Sequence, residues 1–520
     1  MKLISLKKRG KKFYFLRVIL PLAWLGLFGW LVRYEAYPEF FTHKLDGYKS
    51  IISKDVLLID SWMRILVDDS PVGYSYTKME VEKSDPVNHY KIENALNFSI
   101  NIAGFDQHIR ITTTSVLNNI YQLQKFYFHI KSTGYSLKID GKKIKGEIFE
   151  ITTSTANTNQ TREIKIPEDV VIYSPMTEMA MKNLNPGQKL TILTFDPVTM
   201  SKANILFTGM RKEKITIGNR EYDTTLISIN MKGAVSKLWI DSLTGQAVRQ
   251  STPFGWVMEK STSRQALQSV EKSDNKSDIL DILAILPEGL PVDPDADKIR
   301  LKLEGVDLRK VNFESDRQEI LVSNDTVTEL VIINGRKKEL LHGEKLSDDD
   351  FKKALAATAS VQSDHPKIIK AAEKIVRNLD GDFSKDSYDK AKAEAIFKWV
   401  HENVKKEMTI SLPSALDVLH TMRGDCNEHT YLFTALARAV KIPTRIITGL
   451  VFSKDRFYYH AWPAVYLNGT WREMDPTWGQ IYVDTTHIAI VNGEIGNQFQ
   501  LLSLMGQLRI EITEVVYDKN

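Results

Sequence analysis

Residues 72–254 alternate between apolar and polar side chains in one short segment after another, and this period of two restricts the region to strands with one buried face. Residues 96–102 and 135–139 show the pattern clearly, and Asp140-Gly141 after the second of them is a strong hairpin signal. We therefore predict a large antiparallel sheet or open barrel here. The pattern contains no catalytic constellation, so binding, positioning and spacing all stay open as roles.

The N-terminus predicts a membrane anchor. Six of the first twelve residues are basic, and residues 13–32 are apolar except for Arg17, which is close to the ~20 residues that cross a bilayer as a helix. The basic residues before this segment place the N-terminus in the cytoplasm and the rest of the chain outside it, as in a bacterial inner-membrane protein with a periplasmic domain. A cleaved signal peptide is the alternative, but residues 33–38 contain no convincing cleavage site.

Length and charge narrow the function classes. At roughly 100–200 residues per domain, 520 residues predict two to four domains. The formal net charge is only +4, and much of it comes from the N-terminal cluster. Nucleic-acid binding therefore has no electrostatic support.

The pattern changes again in the second half of the chain. Residues 287–297 contain three prolines and a cluster of acidic residues, which is typical of an interdomain connection, and residues 299–303 alternate as a strand. From Ser347 onward the apolar period becomes helical, so we predict an α+β fold class for the whole chain. The predicted divisions are a cytoplasmic tail (1–12), a transmembrane signal anchor (13–32), a β-rich extracytoplasmic domain (33–270), a linker with a small β-rich module (271–346) and a catalytic domain (347–520).

Cys426 is the only cysteine of the chain, so an internal disulfide is excluded and a reactive thiol is one of two remaining interpretations. Apolar residues recur at helical spacing after it until Pro443, which places Cys426 at a helix N-terminus. The unpaired amides there would lower the pKa of a thiol and could also donate to an oxyanion. The alternative is a packed cysteine, which would suit the helix interior better than this polar start.

A second pattern predicts an oriented His–Asp pair. Asn468-Gly469 is the preferred loop of a two-residue type I′ hairpin, and counting outward from it places His460 and Asp475 diagonally on one face. Pro463 has no N–H, so we expect its strand to be an edge strand or bulged. Each element alone is more often a packed histidine or a common turn. Their occurrence together, downstream of a helix-start cysteine, favours a triad.

The chain from 395 to 489 resembles the transglutaminase-like (papain-like cysteine peptidase) superfamily. The motifs that carry the resemblance are Gly424-Asp425-Cys426, the helix with Ala435-Leu436-Ala437-Arg438-Ala439, Ile442-Pro443-Thr444-Arg445, His460-Ala461-Trp462 and Asp475-Pro476-Thr477. The resemblance implies a Cys-bearing helix packed on an antiparallel sheet. It also implies that Cys426 is the nucleophile, that His460 is the general base and acid, and that Asp475 orients the imidazole.

These inferences predict a membrane-anchored, extracytoplasmic thiol hydrolase or acyltransferase that acts on peptide or protein amides through a thioester. The sequence does not decide between hydrolysis and transamidation. A non-catalytic envelope scaffold and a cell-wall peptide amidase are the alternatives. We expect no metal and no cofactor, since His429 and Glu428 beside Cys426 lack zinc-site spacing and the chain has no nucleotide fingerprint. His487 is expected on a following strand of the same core, and Trp399 is expected to pack in it.

Overall fold

The computed structural model describes residues 43–52, 59–84, 87–102, 104–231, 233–252, 255–271, 278–305, 307–310, 315–336, 346–379, 384–408, 411–412, 414–494, 501, 504 and 506–517. The predicted tail (1–12) and anchor (13–32) lie outside these residues. Among the helices within them, none combines the length and the apolar character that a bilayer crossing requires.

A sheet of fifteen strands occupies the first half of the described chain, as the alternation predicts, and it is antiparallel except for one short parallel pair at its edge. Its strands are β1 (His43–Lys44), β2 (Ile59–Val67), β3 (Ser70–Ser84), β4 (Val87–Ile102), β5 (Phe105–Leu117), β6 (Leu123–Ser132), β7 (Tyr135–Lys145), β8 (Ile148–Ser154), β9 (Asn159–Lys165), β10 (Lys189–Asp196), β11 (Ser201–Ile217), β12 (Arg220–Met231), β13 (Ala234–Asp241), β14 (Ala247–Ser251) and β15 (Val257–Ser261). Two helices, α1 (Gly47–Ile51) and α2 (Ser263–Glu271), and a 3-10 turn, Pro175–Met181, accompany it.

The sheet folds over onto itself. It consists of two meanders, β2 to β9 and β10 to β15, which join where β15 pairs with β2. The rings of Phe126 and Phe195, one from each meander, are 5.8 Å apart. Buried residues of both meanders therefore form one core between them, because each strand directs alternate side chains to the same inner face.

The hairpin predicted at Asp140-Gly141 is wrong, because β7 runs straight through both residues. A Cβ atom on Gly141 would lie only 2.0 Å from a ring carbon of Phe126 on the neighbouring strand. The glycine is needed there for close approach to an aromatic ring rather than for a turn.

A small second sheet follows. It contains β16 (Glu288–Gly289), β17 (Lys298–Glu304), β18 (Gln318–Ser323) and β19 (Val327–Ile333), with a helix, α3 (Ile279–Leu283), before it and a 3-10 turn, Leu308–Lys310, within it. The backbones of Ile285 and Phe457 exchange hydrogen bonds of 2.9 and 2.8 Å, which join this module to the following domain.

The last domain consists of helices and a four-stranded antiparallel sheet. Its helices are α4 (Asp348–Leu355), α5 (Pro366–Val376), α6 (Lys385–Asn403), α7 (Ala415–Thr421) and α8 (Cys426–Ala439). Its strands are β20 (Lys405–Lys406), β21 (Arg423–Gly424), β22 (Thr444–Ser453), β23 (Arg456–Leu467), β24 (Thr470–Glu473) and β25 (His487–Asn492), with the order β24-β23-β22-β25 in the sheet and a separate pair of β20 with β21. Helix α8 packs on β22 and β23, and the final strand, β26 (Arg509–Val516), returns to pair with β16 and β17. The chain's C-terminal strand therefore belongs to the small sheet. The predicted division at residue 346 stays a prediction.

The hairpin of β23 and β24 has the predicted register, with Leu467 opposite Thr470, and both Asn468 and Gly469 have positive φ. The expectation of an edge strand is wrong, since β23 lies between β24 and β22. Pro463 is tolerated because the edge of β23 on which its N–H would lie faces the end of β24, where no ladder hydrogen bond is lost. The carbonyl of Pro463 accepts from the amide of Met474, the residue directly after β24.

Candidate active site

Cys426 is the first residue of α8, as the sequence predicts. The carboxylate of Asp425 caps the helix and accepts the amide of Asn427 at 2.8 Å, while Glu428 accepts the amide of Asp425 at 2.9 Å. Asp425 also accepts the amide of Glu428, which completes a capping box and satisfies two first-turn amides, those of Asn427 and Glu428. Cys426 itself stays half-buried.

The thiol lies against the strand that carries the candidate base. The sulfur of Cys426 accepts a hydrogen bond from the backbone amide of Ala461, the residue after His460. One turn further along α8, the hydroxyl of Thr430 donates to the carbonyl of Ala461 at 3.0 Å. Two contacts to one residue thus fix the helix start relative to β23.

The expectation of a lowered thiol pKa is wrong. Burial raises the pKa of Cys426 well above its ordinary value, and the carboxylate of Asp425 raises it further. The amide of Ala461 opposes this effect without cancelling it. Burial and the adjacent Glu428 also raise the pKa of Asp425 well above its usual range. Burial is the largest cause because desolvation disfavours the charged form of the thiol.

His460 and Asp475 meet as a buried pair, with 2.7 Å between Nε2 and Oδ2. The other carboxylate oxygen of Asp475 accepts the backbone amides of Thr477 at 2.8 Å and Trp478 at 3.1 Å. Although burial opposes ionisation, His460 and His487 hold the pKa of Asp475 well below its usual range. Asp475 is therefore a fixed anion, and Nδ1 is the ring nitrogen of His460 that this hydrogen bond does not use.

His487 is a site residue whose role the sequence pattern does not reveal. It lies on β25, as expected, but it is fully buried and its Nε2 is 3.1 Å from the same oxygen of Asp475 that binds His460. Its Nδ1 faces the hydroxyl of Thr486 at 3.2 Å and a carboxylate oxygen of Asp484 at 3.6 Å. Burial alone would lower the pKa of His487, but these carboxylates raise it above its ordinary value.

One cluster in the described part of the chain has the geometry to hold a metal ion. It consists of His460, Asp475 and His487, whose possible ligand atoms all lie within 4.8 Å of one another. The contacts of 2.7 and 3.1 Å are ordinary lengths for an N–H donor and a carboxylate oxygen. Hydrogen bonds alone account for the arrangement.

The small module, through Arg317, contacts the strands next to this site. Arg317 is 1% exposed, and its guanidinium forms a buried ion pair with Glu473, two residues before Asp475, with 3.0 Å between Nη2 and Oε2. The same group donates to the carbonyl of His487 at 2.8 Å. Trp462 adds its indole N–H to Glu473 at 2.9 Å.

The neighbours of Arg317 on both sides make further contacts of this kind. Asp316 accepts the amide of Trp471 at 2.6 Å, and the side chain of Gln318 donates to the carbonyl of Ala489 at 3.0 Å and accepts its amide at 2.7 Å. The hydroxyl of Ser315 donates to Glu473. We call these four residues, 315–318, the polar clamp, and it links the small module to β24 and β25.

The remaining candidates have supporting positions. His429 is fully buried, and its ring nitrogens face the carbonyls of Asp425 at 2.7 Å and Val404 at 3.2 Å, so it braces the start of α8. Trp399 packs against the helical core, as expected. The ring of Trp478 is 5.6 Å from that of His460 and is 40% exposed, so it is a partly solvent-exposed aromatic side chain next to the imidazole.

Comparison with known proteins covers the same part of the chain. Residues 374–476 match the family profile described as Transglutaminase-like superfamily. The kyphoscoliosis peptidase of Mus musculus is 28% identical over 114 residues, and that of Homo sapiens is 27% identical over 113 residues. Each alignment covers 19% of this chain and 17% of the relative, so the chain spans less than a fifth of the length of the curated relatives it matches.

A solved structure is also similar. It is a proposed cysteine protease from Cytophaga hutchinsonii, with 19% sequence identity and a TM-score of 0.28, and the match covers 46% of this chain and 85% of that one. The similarity to the Transglutaminase-like superfamily therefore rests on the profile match over residues 374–476 and on the curated relatives.

Proposed function

Because residues 374–476 are a transglutaminase-like segment, we propose that this chain catalyses acyl transfer at peptide or protein amide bonds, with Cys426 as the nucleophile. The observation that carries the proposal is the position of Cys426 at a capped helix start that packs on β23, the strand of His460. Nε2 of His460 lies 2.7 Å from the buried carboxylate of Asp475. Cysteine, histidine and carboxylate in these relative roles activate a nucleophile on many unrelated folds.

In the proposed reaction, Nδ1 of His460 removes the thiol proton as the sulfur of Cys426 attacks the carbonyl carbon of the amide. The tetrahedral oxyanion is stabilised by the backbone amide of Cys426, since the capping box already occupies the amides of Asn427 and Glu428. His460 then gives the proton to the leaving amine, and a thioester remains on Cys426. Water or an acceptor amine, deprotonated by His460, releases the acyl group.

The raised pKa of Cys426 determines the timing of the proton transfer. A thiol that is neutral at rest cannot act as a preformed thiolate, so deprotonation by His460 accompanies the attack. Asp475 supports this step because its fixed negative charge stabilises the imidazolium that forms.

The proposal also includes the location of the enzyme. We propose an N-terminal anchor at residues 13–32 with the catalytic domain outside the cytoplasm, on the basis of the apolar run and the basic cluster before it. The large sheet would then stand between the membrane and the catalytic domain as a platform. Retention of the full chain in membranes after carbonate extraction would support the anchor, and release into the supernatant would contradict it.

The activity is tested by incubating the full chain with a denatured protein mixture, with and without a fluorescent primary amine. Wild type should generate new N-termini or incorporate the amine, and Cys426→Ala should do neither. Amine incorporation would indicate transamidation, and cleavage alone would indicate hydrolysis. Identical results for wild type and variant would contradict the proposal and leave the non-catalytic scaffold.

A further inference from the structure

A cavity of about 790 Å³ lies between the large sheet and the catalytic domain. This volume falls within the range of sites that enclose a small ligand or a few residues of a peptide. Three hairpin tips of the platform form one wall, at residues 105–107, 133–136 and 155–157. The catalytic domain supplies the other wall, with residues 405–408, 411, 412, 414, 417, 418, 421, 423 and 428. The cavity is therefore formed only where the two regions meet.

The two walls are held together by specific contacts. The hydroxyl of Tyr135 donates to the carbonyl of Leu412 at 3.3 Å, and the hydroxyl of Thr155 donates to the carboxylate of Asp417 at 2.7 Å. Leu412 also packs against the core of the large sheet. These contacts fix the hairpin tips against the catalytic domain and give the cavity a defined shape.

The cavity extends along the start of the nucleophile helix. Arg423 and Glu428 both line it, three residues before and two residues after Cys426. Cys426 itself is not part of this lining, and Glu428 lies on a different face of α8 from the thiol. A substrate of the proposed acyl transfer that occupies the cavity would therefore pass around the start of α8 to bring its amide bond to Cys426.

The accessible charge of the cavity is positive. Lys405, Lys406 and Arg423 are exposed in its lining, and Glu407 is the one acid that pairs with two of them, at 3.3 Å from Lys405 and 3.7 Å from Arg423.

The other two lining acids are engaged elsewhere. Asp417 binds Thr155, and burial raises its pKa, while Glu428 accepts from Ser411 and from the amide of Asp425. These hydrogen bonds do not remove the charge of either acid, but all three lining acids are less exposed than Lys405, Lys406 and Arg423, so the cations are the charges that an acidic ligand meets first.

The cavity also offers apolar contacts that the fold leaves uncovered. Phe105 at one hairpin tip is 65% exposed, and Met408 on the opposite wall is 39% exposed. Exposed apolar side chains next to a concave basic surface are typical of sites that bind amphipathic chains.

We propose that this cavity binds an acidic polypeptide segment that carries aromatic or aliphatic side chains, and that the large sheet thereby selects the substrate of the cysteine site. The part of this proposal that concerns substrate selection for Cys426 rests on the proposed function. Peptide binding in the cavity requires no catalysis, so the binding proposal and the proposed function can fail separately.

The test uses the full chain with Cys426→Ala, which prevents turnover. Two fluorescein-labelled twelve-residue peptides serve as probes, one with alternating Glu and Phe and the other with alternating Lys and Phe, and binding is measured by fluorescence polarisation at low salt. The acidic peptide should bind at least about 10-fold more tightly than the basic one, and this preference should shrink as salt is added.

Charge reversal locates the binding. Lys406→Glu should weaken the acidic peptide by at least about 5-fold, and Phe105→Ala should weaken both peptides. Lys214→Glu is the matched control, because this lysine is exposed on β11 of the large sheet and does not line the cavity. Equal affinity for the two peptides, no binding of either, or equal effects of Lys406→Glu and Lys214→Glu would overturn the proposal.

Discussion

Arg317 and Glu473 form an ion pair that is closed to solvent at both ends, with side chains 1% and 0% exposed and 3.0 Å between Nη2 and Oε2. Arg317→Met should destabilise the chain by about 3–5 kcal/mol, because it leaves the charge of Glu473 buried without its partner. Urea unfolding of the full chain measures this loss.

The matched control for that prediction is Arg309→Met. Arg309 is half-exposed and pairs with Asp307 at 2.8 Å, so its loss should cost less than about 1 kcal/mol. Similar destabilisation by the two substitutions would show that the polar clamp contributes no more than a surface ion pair.

His487 should make stability depend on pH. Its pKa is raised in the folded chain, so its stabilising contribution is fully present below about pH 6.5 and is lost as the pH rises through the folded value. The excess stability of wild type over His487→Gln should therefore be larger at pH 5.5 than at pH 9. Thermal unfolding of both proteins at the two pH values measures it. His108→Gln, at an exposed histidine of the large sheet, controls for the loss of an imidazole. A difference that does not change with pH would contradict the prediction.

Glu178 should have a similar pH effect in the large sheet. Burial raises the pKa of Glu178 to about 8, although the hydroxyl of Tyr173 donates to one of its oxygens at 2.8 Å. A raised carboxyl pKa gives stability that is present below about pH 4.5 and is lost as the pH rises through 8. Glu178→Gln, which is neutral at every pH, should be more stable than wild type at pH 9 by up to about 5 kcal/mol. Equal unfolding midpoints at pH 9 would show that Glu178 is not buried as a neutral acid.

The sequence predicts the elements that local rules control. Apolar residues recur at helical spacing after Cys426, and this pattern correctly places Cys426 at the start of α8. Asn468-Gly469 fixes the register of its hairpin, and Asp475, two residues past the end of β24, lies 2.7 Å from His460. The catalytic roles of these residues stay predictions until activity is measured.

Long-range contacts explain most of what the sequence does not predict. The polar clamp reaches β24 and β25 from more than 150 positions earlier in the chain, and no local period indicates such a contact. The raised pKa of Cys426 has the same origin, since it depends on how deeply the helix start is buried against β23. The wrong hairpin prediction at Gly141 also has a long-range cause. Close packing on Phe126 requires a glycine just as a tight turn does, so the glycine alone does not distinguish the two.

The most direct test of the account is the rate at which iodoacetamide alkylates Cys426 in the full chain, compared between wild type and His460→Ala. Cys426 is the only cysteine, so mass spectrometry of the intact protein reports on this site alone. We predict that at pH 7 wild type reacts at least about 10-fold faster, because His460 removes the thiol proton. The wild-type rate should also keep rising above pH 8.5, because burial and Asp425 raise the pKa of the thiol. His108→Ala should react like wild type. Equal rates for wild type and His460→Ala would contradict an activated nucleophile at Cys426.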